Sequence, residues 1–299
     1  MGRSQGGQAM SIWQPNVTGI FFDLTSETYH KAPGVSNSML GEMDPPARLP
    51  VYLSEPRKVT PWMRMGTLIH HRVLEPHKPL PQIALVPETY QSEDGPKKWT
   101  FNAKACQAWR RQQEADGRLI VTASEMEAID GCVGSILEDG VCSTIFRSGF
   151  SEVSVFNRIQ TQAGDVLTRA RIDWVPAKSN ALVDIKKVGK GCAAKAEFMK
   201  IAIDRGYHRQ AAGYLENWNT QADSENQRDA FVFVVVEDVA PYLVNVIPIG
   251  PRTLALGREE YFKGLETYAQ CVKAKSWPGY SRELVPVEAA DWAFRRAAV

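Results

Sequence analysis

The sequence predicts a fold that mixes helices and strands, of the α/β or α+β class. A mixed central sheet is flanked by helices and preceded by a helical N-terminal part. Residues 16–150 show helical periodicity and are joined by proline-rich loops. From Ser151 onward, apolar and polar residues alternate in short segments, which is typical of half-buried strands. A later continuous apolar run, "AFVFVVVE", predicts a strand that is buried on both faces.

The helical part contains four predicted helices, placed from capping residues, glycines and prolines at their ends. The first runs from Ser36 to Met43 and the second from Trp62 to just before Pro76. The third runs from Phe101 to Gly117, and the fourth from the capping box at Thr122–Glu125 to about Asp139. The proline-rich residues 77–100 between the second and third helices have little periodicity and are predicted as a loop.

The second half of the chain contains the predicted sheet. "EVSVFNRI", "DVLTRARIDWV" and "ALVDIKK" are separated by short turns and predict an antiparallel meander. A helical stretch starts at Ala194 and is interrupted at Gly206. The strands "AFVFVVVE" and "YLVNVIPI" follow, and an amphipathic helix from about Arg252 to Lys275 closes the core.

The predicted organisation is one domain over residues 16–299. It has a helical part at 16–150, a sheet core at 151–275 and a C-terminal tail at 276–299. Residues 1–15 are predicted to be a disordered leader, and "MGRSQGGQA" has the look of an expression leader. A chain of 299 residues is long enough for one large domain with insertions or for two small ones.

The composition excludes several classes of protein. Hydrophobic residues make up 44% and charged residues 23%, and no apolar run approaches the roughly 20 residues that cross a bilayer. The net charge of +1 means that any nucleic-acid contact has to come from a local basic patch. Two stretches qualify, Arg48 to Arg64 and Lys97 to Arg118, although either can be an ordinary solvated face. Five cysteines without a CxxC pair argue against a disulfide framework and fit a reducing cytosol.

Two acids and a lysine stand at the ends of neighbouring predicted strands. Asp173 lies near the end of the second meander strand, and Asp184 and Lys186 lie at the end of the third. Adjacent strands are roughly 5 Å apart, so the two carboxylates can converge on one cation. Asp184 and Lys186 share a strand face, and a nearby lysine can orient or deprotonate a water, with a pKa that can fall. A surface ion pair remains the alternative.

Two helical positions extend this pattern. His70 lies one turn after Gly66 and beside apolar positions, so it points inward, although a core or surface histidine is the alternative. Gln210 and Tyr214 are four residues apart and share a helix face, with small residues between them. That face can approach a ligand, or it can simply form hydrogen bonds within the fold.

These residues together resemble the PD-(D/E)xK nuclease superfamily. The motifs are G-x-x-x-H, R-x-D, D-x-K and Q-x-x-x-Y, in this order, and they are most similar to RecB-type nucleases and to the exodeoxyribonuclease VIII (RecE-like) branch, much of which is carried by phages and prophages. The motif residues are Gly66 and His70, Arg171 and Asp173, Asp184 and Lys186, and Gln210 and Tyr214. The resemblance spans about Ser36 to Tyr214 and implies a restriction-endonuclease-like core.

The resemblance also implies roles for individual residues. The metal would be bound by His70, Asp173, Asp184 and the main-chain carbonyl of Ile185, while Lys186 would position the attacking water. Gln210 and Tyr214 would contact DNA or brace the active-site strands.

Three further residues complete the expected site. Glu152 would contribute to catalysis through a water or a second metal ion, or else be an edge-strand charge. Arg171, of the R-x-D motif, is expected to contact DNA. Lys187 and Val188 replace a pair of threonines that is frequent in the branch, and Lys187 would contact phosphate or be solvated.

The activity implied is that of a Mg²⁺-dependent DNA exonuclease, with Mn²⁺ able to substitute. It would digest linear double-stranded DNA in the 5′→3′ direction and leave 3′ single strands for a single-strand annealing recombinase. The protein would form a homo-oligomeric ring through which the duplex threads. It would act in the cytoplasm of a bacterial host and be encoded by a phage or prophage. The alternatives are a structure-specific or single-strand endonuclease and a catalytically inactive DNA-binding module.

Overall fold

The computed structural model describes residue 14 and residues 17–55, 59–284 and 286–289. Apart from Gln14, the predicted disordered leader lies outside the described residues. The first half contains β1 Gly19–Phe21, α1 Ser26–Lys31, α2 Asn37–Gly41, α3 Arg48–Ser54, α4 Pro61–Leu74, β2 Ile83–Leu85, β3 Thr89–Ser92, β4 Gly95–Lys98, α5 Lys104–Ala115, β5 Leu119–Val121, α6 Ala123–Glu138 and α7 Gly140–Ile145. The second half contains β6 Gly149–Gln160, β7 Asp165–Pro176, β8 Ala181–Val188, α8 Lys195–Asp204, α9 Tyr207–Gln221, β9 Ala230–Glu237, β10 Val244–Pro248 and α10 Pro251–Ala274.

A six-stranded mixed sheet forms the centre of the fold, in the order β1-β6-β7-β8-β9-β10. β6, β7 and β8 form the predicted antiparallel meander, and β9 joins β8 in parallel after the crossover through α8 and α9. β10 closes one edge antiparallel to β9, and β1 pairs antiparallel with β6 at the other. The predicted α+β class and mixed sheet are therefore confirmed.

Helices cover both faces of this sheet, and β8 shows how its side chains are shared between them. Leu182 packs in the core cluster beneath α8 and α9, whereas Val183 and Ile185 pack in the cluster beneath α4 and α6. Because successive strand side chains alternate between faces, Asp184 and Lys186 lie on the α8/α9 side. The buried strand thus places its two charged groups on one face.

Local sequence signals explain where α9 and α6 begin. Gly206 has φ +66, a left-handed conformation that glycine adopts without strain, and it separates α8 from α9 at the predicted break. The capping box at Thr122 and Glu125 is also present at the start of α6. None of the helices in the described part of the chain is long and apolar enough to cross a membrane.

The loop predicted over residues 77–100 is the main error at this level. The segment contains β2, which pairs in parallel with β5, and the antiparallel β3–β4 hairpin. These strands are three or four residues long and mostly exposed, so they show no clear alternation. The helical N-terminal part likewise supplies β1, an edge strand of the central sheet.

Candidate metal centre

The candidate metal centre lies between β7 and β8, at the point where main-chain pairing ends and a side chain accepts the next hydrogen bond. β7 and β8 pair at Trp174 and Val183. Two residues after Val183, the Ile185 N–H donates to Oδ2 of Asp173, the residue before Trp174, at 2.9 Å. A carboxylate therefore takes the place of a main-chain acceptor, and Asp173 lies between the two strands, as the predicted convergence requires.

Glu152 occupies a distorted position on β6 opposite Asp173. The register passes from Ser151 opposite Trp174 to Val153 opposite Ile172, and the residues between them are unpaired in the ladder. Glu152 has φ +52, and such a conformation costs a non-glycine residue about 1–3 kcal/mol. Strain of this kind is concentrated at functional sites, where it directs a side chain.

Arg171 holds the Glu152 carboxylate in place. Its Nε donates to Glu152 Oε2 at 2.6 Å, and one terminal nitrogen donates to the Leu24 carbonyl and to Ser154 Oγ at 2.9 and 2.8 Å. Only 13% of the Arg171 side chain is exposed. This guanidinium donates to internal acceptors and positions Glu152, while the expected DNA contact stays a prediction.

His70 reaches the same point from α4 on the other side of the sheet. Its Nδ1 is 3.5 Å from Asp173 Oδ2 and 3.9 Å from Glu152 Oε1. One ligand atom from each of His70, Glu152 and Asp173 lies within 4.8 Å of the other two. The three side chains are thus close enough to share a cation.

The carbonyl of Ile185, an expected metal ligand, contacts the ring of His70. It lies 3.0 Å from His70 Nε2 and accepts its hydrogen bond. A partner of this kind on one ring nitrogen fixes the orientation of the ring and leaves the other nitrogen to bind a metal. Ile185 therefore orients His70 through its carbonyl, and its expected part as a metal ligand stays a prediction.

Asp184 adjoins the three-residue group and is held by neutral and cationic neighbours. Gln210 Nε2 donates to Asp184 Oδ2 at 2.7 Å, and Lys186 Nζ is 2.5 Å from Asp184 Oδ1. Within the described residues, the group with mutual distances under 4.8 Å contains Glu152 but not Asp184. The structure therefore brings Glu152 closer to the centre than expected, with Asp184 beside it.

The donor set fits a hard divalent cation. Carboxylate oxygens dominate it, with one imidazole nitrogen, which suits Mg²⁺ or Mn²⁺. Asp184 is 1% exposed, and its Oδ1 has no hydrogen bond of good geometry although Lys186 is near. Besides the Lys186 ammonium, a metal cation would offset the buried negative charges of Asp184 and Asp173.

The pKa values show how strongly these groups interact. Burial, together with the charge of Asp184, raises the pKa of Asp173 to about 7. Burial alone would lower the pKa of His70, but Asp173 and Glu152 outweigh it and raise that pKa to about 9. Burial opposes the ionisation of Glu152, but His70 and Arg171 lower its pKa to about 2. The raised pKa values mean that His70 and Asp173 hold their protons more tightly than the same groups do in water.

Lys186 is a protonated group in this arrangement. Burial acts to lower its pKa, but the charges of Asp184 and Asp173 raise it overall. The ammonium also lies 4.6 Å from the centre of the Tyr207 ring, a cation–π contact. The expected fall in pKa is thus corrected, and Lys186 is placed to orient a water or a phosphate oxygen as a cation.

Gln210 and Tyr214 brace the site from α9. Gln210 is buried and bonded to Asp184, and Tyr214 packs against Phe231 of β9 at 6.2 Å between ring centroids. Of the two roles that the sequence left open, the bracing role fits these contacts. Tyr207 was missed at the sequence level, although its position three residues before Gln210 places it on the same helix face.

Lys187 lies on the opposite side of the sheet. Only 3% of its side chain is exposed, its Nζ is 2.9 Å from Asp238 Oδ2, and it lies over the Trp62 ring. The expected phosphate contact is therefore corrected, because alternation along β8 sends this side chain away from Lys186. It ties α4 to the end of β9.

The mixed sheet, the helices on both faces and the acid-rich end of the meander define the class of PD-(D/E)xK nuclease folds. Residues 52–286 match the sequence profile of a family described as "PDDEXK-like domain of unknown function (DUF3799)". The match covers most of the chain, and the chain belongs to this family.

Solved structures provide a separate comparison. A candidate exonuclease from Eubacterium rectale aligns with a TM-score of 0.57 and 12% identity, over 92% of this chain and 99% of the other, and shows that the two share a fold. A phage-related exonuclease from Haemophilus somnus 129PT aligns with a TM-score of 0.31 and 13% identity, over 58% and 85%. A search of curated proteins gives no significant match.

Proposed function

We propose that this protein is a Mg²⁺-dependent deoxyribonuclease, with Mn²⁺ able to substitute, that hydrolyses phosphodiester bonds in linear double-stranded DNA. The observation that carries the proposal is the convergence of His70, Glu152 and Asp173 beside the Asp184–Lys186 pair. A metal ion would account for two buried carboxylates, Asp173 and Asp184, beside a partly buried third, Glu152, whose backbone is strained.

Each side chain has a defined part in this chemistry. His70, Glu152, Asp173 and Asp184 would hold the cation, which when bound supplies an activated water and polarises the phosphoryl oxygen. The Lys186 ammonium would orient the attacking water or a phosphate oxygen. Arg171 and Gln210 keep Glu152 and Asp184 in position, so the ligands need little rearrangement.

The mode of action we propose is that of an exonuclease which proceeds 5′→3′ and leaves 3′ single strands. The shared fold with the Eubacterium rectale protein, described as a candidate exonuclease, supports this choice over an endonuclease. Such tails are substrates for homologous recombination by a single-strand annealing protein. We further propose a ring of several copies, acting in the cytoplasm of a bacterial host and encoded by a phage or prophage.

Digestion of end-labelled linear DNA, with Mg²⁺ or with EDTA, tests the function. Asp184→Ala and Lys186→Ala are expected to reduce the rate by at least about 100-fold, since each removes a group at the site of charge development. Two exposed residues serve as matched controls: Asp165 at the start of β7 and Lys178 in the β7–β8 turn. Asp165→Ala and Lys178→Ala are expected to leave the rate unchanged.

The controls also separate the competing activities. Wild-type rates in Asp184→Ala and Lys186→Ala would show that the site lies elsewhere. Cutting of a closed circular duplex would favour the endonuclease, because an exonuclease needs an end. The choice between 5′- and 3′-labelled strands reports the polarity directly.

A further inference from the structure

An exposed pair of aromatic rings lies next to the candidate metal centre. Phe22 and Phe150 are 40% and 50% exposed. Their ring centroids are 4.7 Å apart and their planes are inclined by 57°. Single exposed apolar residues are ordinary on protein surfaces, but two large rings in contact form a local apolar patch that merits an explanation.

Both rings are close along the chain to residues that form or position the candidate metal centre. Phe150 precedes Glu152 by two residues on β6, a separation of about 7 Å along a strand. Phe22 follows β1, and two residues later the Leu24 carbonyl accepts a hydrogen bond from Arg171, which also holds Glu152. Arg171 therefore links the segment that carries Phe22 to the carboxylate two residues after Phe150.

The register shows which side of the sheet Phe150 faces. Phe150 is opposite Val175 in the β6–β7 ladder, and opposed residues of antiparallel strands share a face. Val175 packs in the cluster beneath α8 and α9. Phe150 is thus on the side to which Asp184 and Lys186 point, at an end of the sheet where its ring stays half exposed.

We propose that Phe22 and Phe150 form a base-stacking platform for the nucleotide beside the phosphate that is cut. The inference rests on the proposed function, because it takes DNA as the substrate. Nucleobases have flat apolar faces that stack on aromatic side chains whatever their sequence. A base held on this platform is outside the duplex stack, and its phosphate is directed toward Glu152 and Asp173.

Binding of DNA with single abasic nucleotides tests the platform without requiring hydrolysis. Labelled duplexes, each with one abasic nucleotide at successive positions from the end, are titrated in Ca²⁺, and fluorescence anisotropy gives the dissociation constants. For the wild type, one position is expected to weaken binding about 10-fold, within the range measured for loss of a stacked base. The double variant Phe22→Leu/Phe150→Leu should bind intact DNA about 10-fold more weakly and lose this position dependence.

Two further variants separate stacking from packing. Phe22→Tyr/Phe150→Tyr keeps the rings and should restore both affinity and the response to the abasic nucleotide. Leu137→Ala is a control for loss of an exposed apolar side chain, since Leu137 is 51% exposed and lies in α6, outside both basic stretches. Melting temperatures of all variants show whether the fold is intact.

Each result has one meaning for the platform. It is overturned if the leucine variant responds to the abasic nucleotide as the wild type does, or if no position matters in the wild type. A changed solution mass with intact DNA binding would assign the rings to a contact between copies and would overturn it too. Hydrolysis in Mg²⁺ is measured in parallel: its absence, with the stacking response present, contradicts the proposed function alone.

Discussion

At the scale of single residues, Asp173 combines a functional position with a cost to stability. Its carboxyl group is buried beside Asp184, and its pKa of about 7 already includes the favourable charges of His70 and Lys186. In an unfolded chain the same group titrates near 4. The ionised form is therefore less favourable in the folded protein, and the cost grows as pH rises from about 4 to about 7 and then stays constant.

Asp173→Asn is expected to raise the melting temperature of the metal-free protein at pH 8 by about 2–5 °C. The amide oxygen can still accept the Ile185 N–H, and the charge that burial disfavours is gone. The gain should vanish as pH falls toward 4, where the aspartic acid is itself neutral in both states.

Calorimetry at pH 4, 6 and 8, with and without Mg²⁺, measures this effect. Added Mg²⁺ should raise the melting temperature of the wild type and leave the variant nearly unchanged, since only the wild type has the full ligand set. Asp165→Asn, at the exposed start of β7, is the control. A lower melting temperature for Asp173→Asn at pH 8 would contradict the cost assigned to the carboxylate.

At the scale of elements, the close contact of α9 with α10 determines where Gln210 lies. A Cβ atom added to Gly257 would be 2.2 Å from the His208 carbonyl oxygen, so the two helices can approach this closely only with glycine there. His208 is two residues before Gln210, which bonds Asp184. The packing of α10 against α9 therefore affects the position of Gln210, which donates a hydrogen bond to Asp184.

Gly257→Ala is expected to lower the free energy of unfolding by about 1–3 kcal/mol, because α10 has to move away from α9. Nuclease activity should fall as well, through the displaced Gln210. Chemical denaturation and the DNA digestion assay measure the two effects. Gly250→Ala is the matched control, because a Cβ there meets nothing; equal stability of the two variants would contradict the role of Gly257.

Much of the element level was predictable from the sequence, and the reason is local. Alternation and a β-branched run identify strands without any knowledge of their neighbours, so the meander and β9 were predicted correctly. Strand spacing also indicated that Asp173 and Asp184 lie near each other, and the charge of Asp184 does raise the pKa of Asp173. That these residues hold a metal stays a prediction.

The parts that were not predictable depend on contacts between distant residues. The bond from Arg171 to Glu152 is made where the backbone of β6 is distorted. Lys187 is buried because Asp238 and Trp62 lie where its side chain emerges. Neither partner is signalled by spacing along the chain, and the short exposed strands of residues 77–100 lacked the periodicity that longer strands show.

At the scale of the whole molecule, the near-neutral charge bears on how DNA would be held. With a net charge of +1, one copy has little bulk attraction for a polyanion. Several copies around a channel would combine their modest basic surfaces. This is the physical reason for the ring in the proposed function.

Light scattering coupled to size-exclusion chromatography should give a mass that is a whole-number multiple of 33.3 kDa, with at least three copies. Digestion should be processive under conditions in which this assembly persists, and become distributive on dilution below it. A mass of one chain at every concentration, with processive digestion intact, would rule out the ring.

The bond between His70 and Ile185 joins residues 115 positions apart, and this separation has a consequence for synthesis. As the chain leaves the ribosome, the histidine emerges first, the acids follow over residues 152–184, and Gln210 comes only after them. Long-range contacts of this kind form late, since loop closure precedes them. A nascent chain therefore lacks part of the proposed ligand set until residue 184 has been translated, and lacks the Gln210 brace for longer.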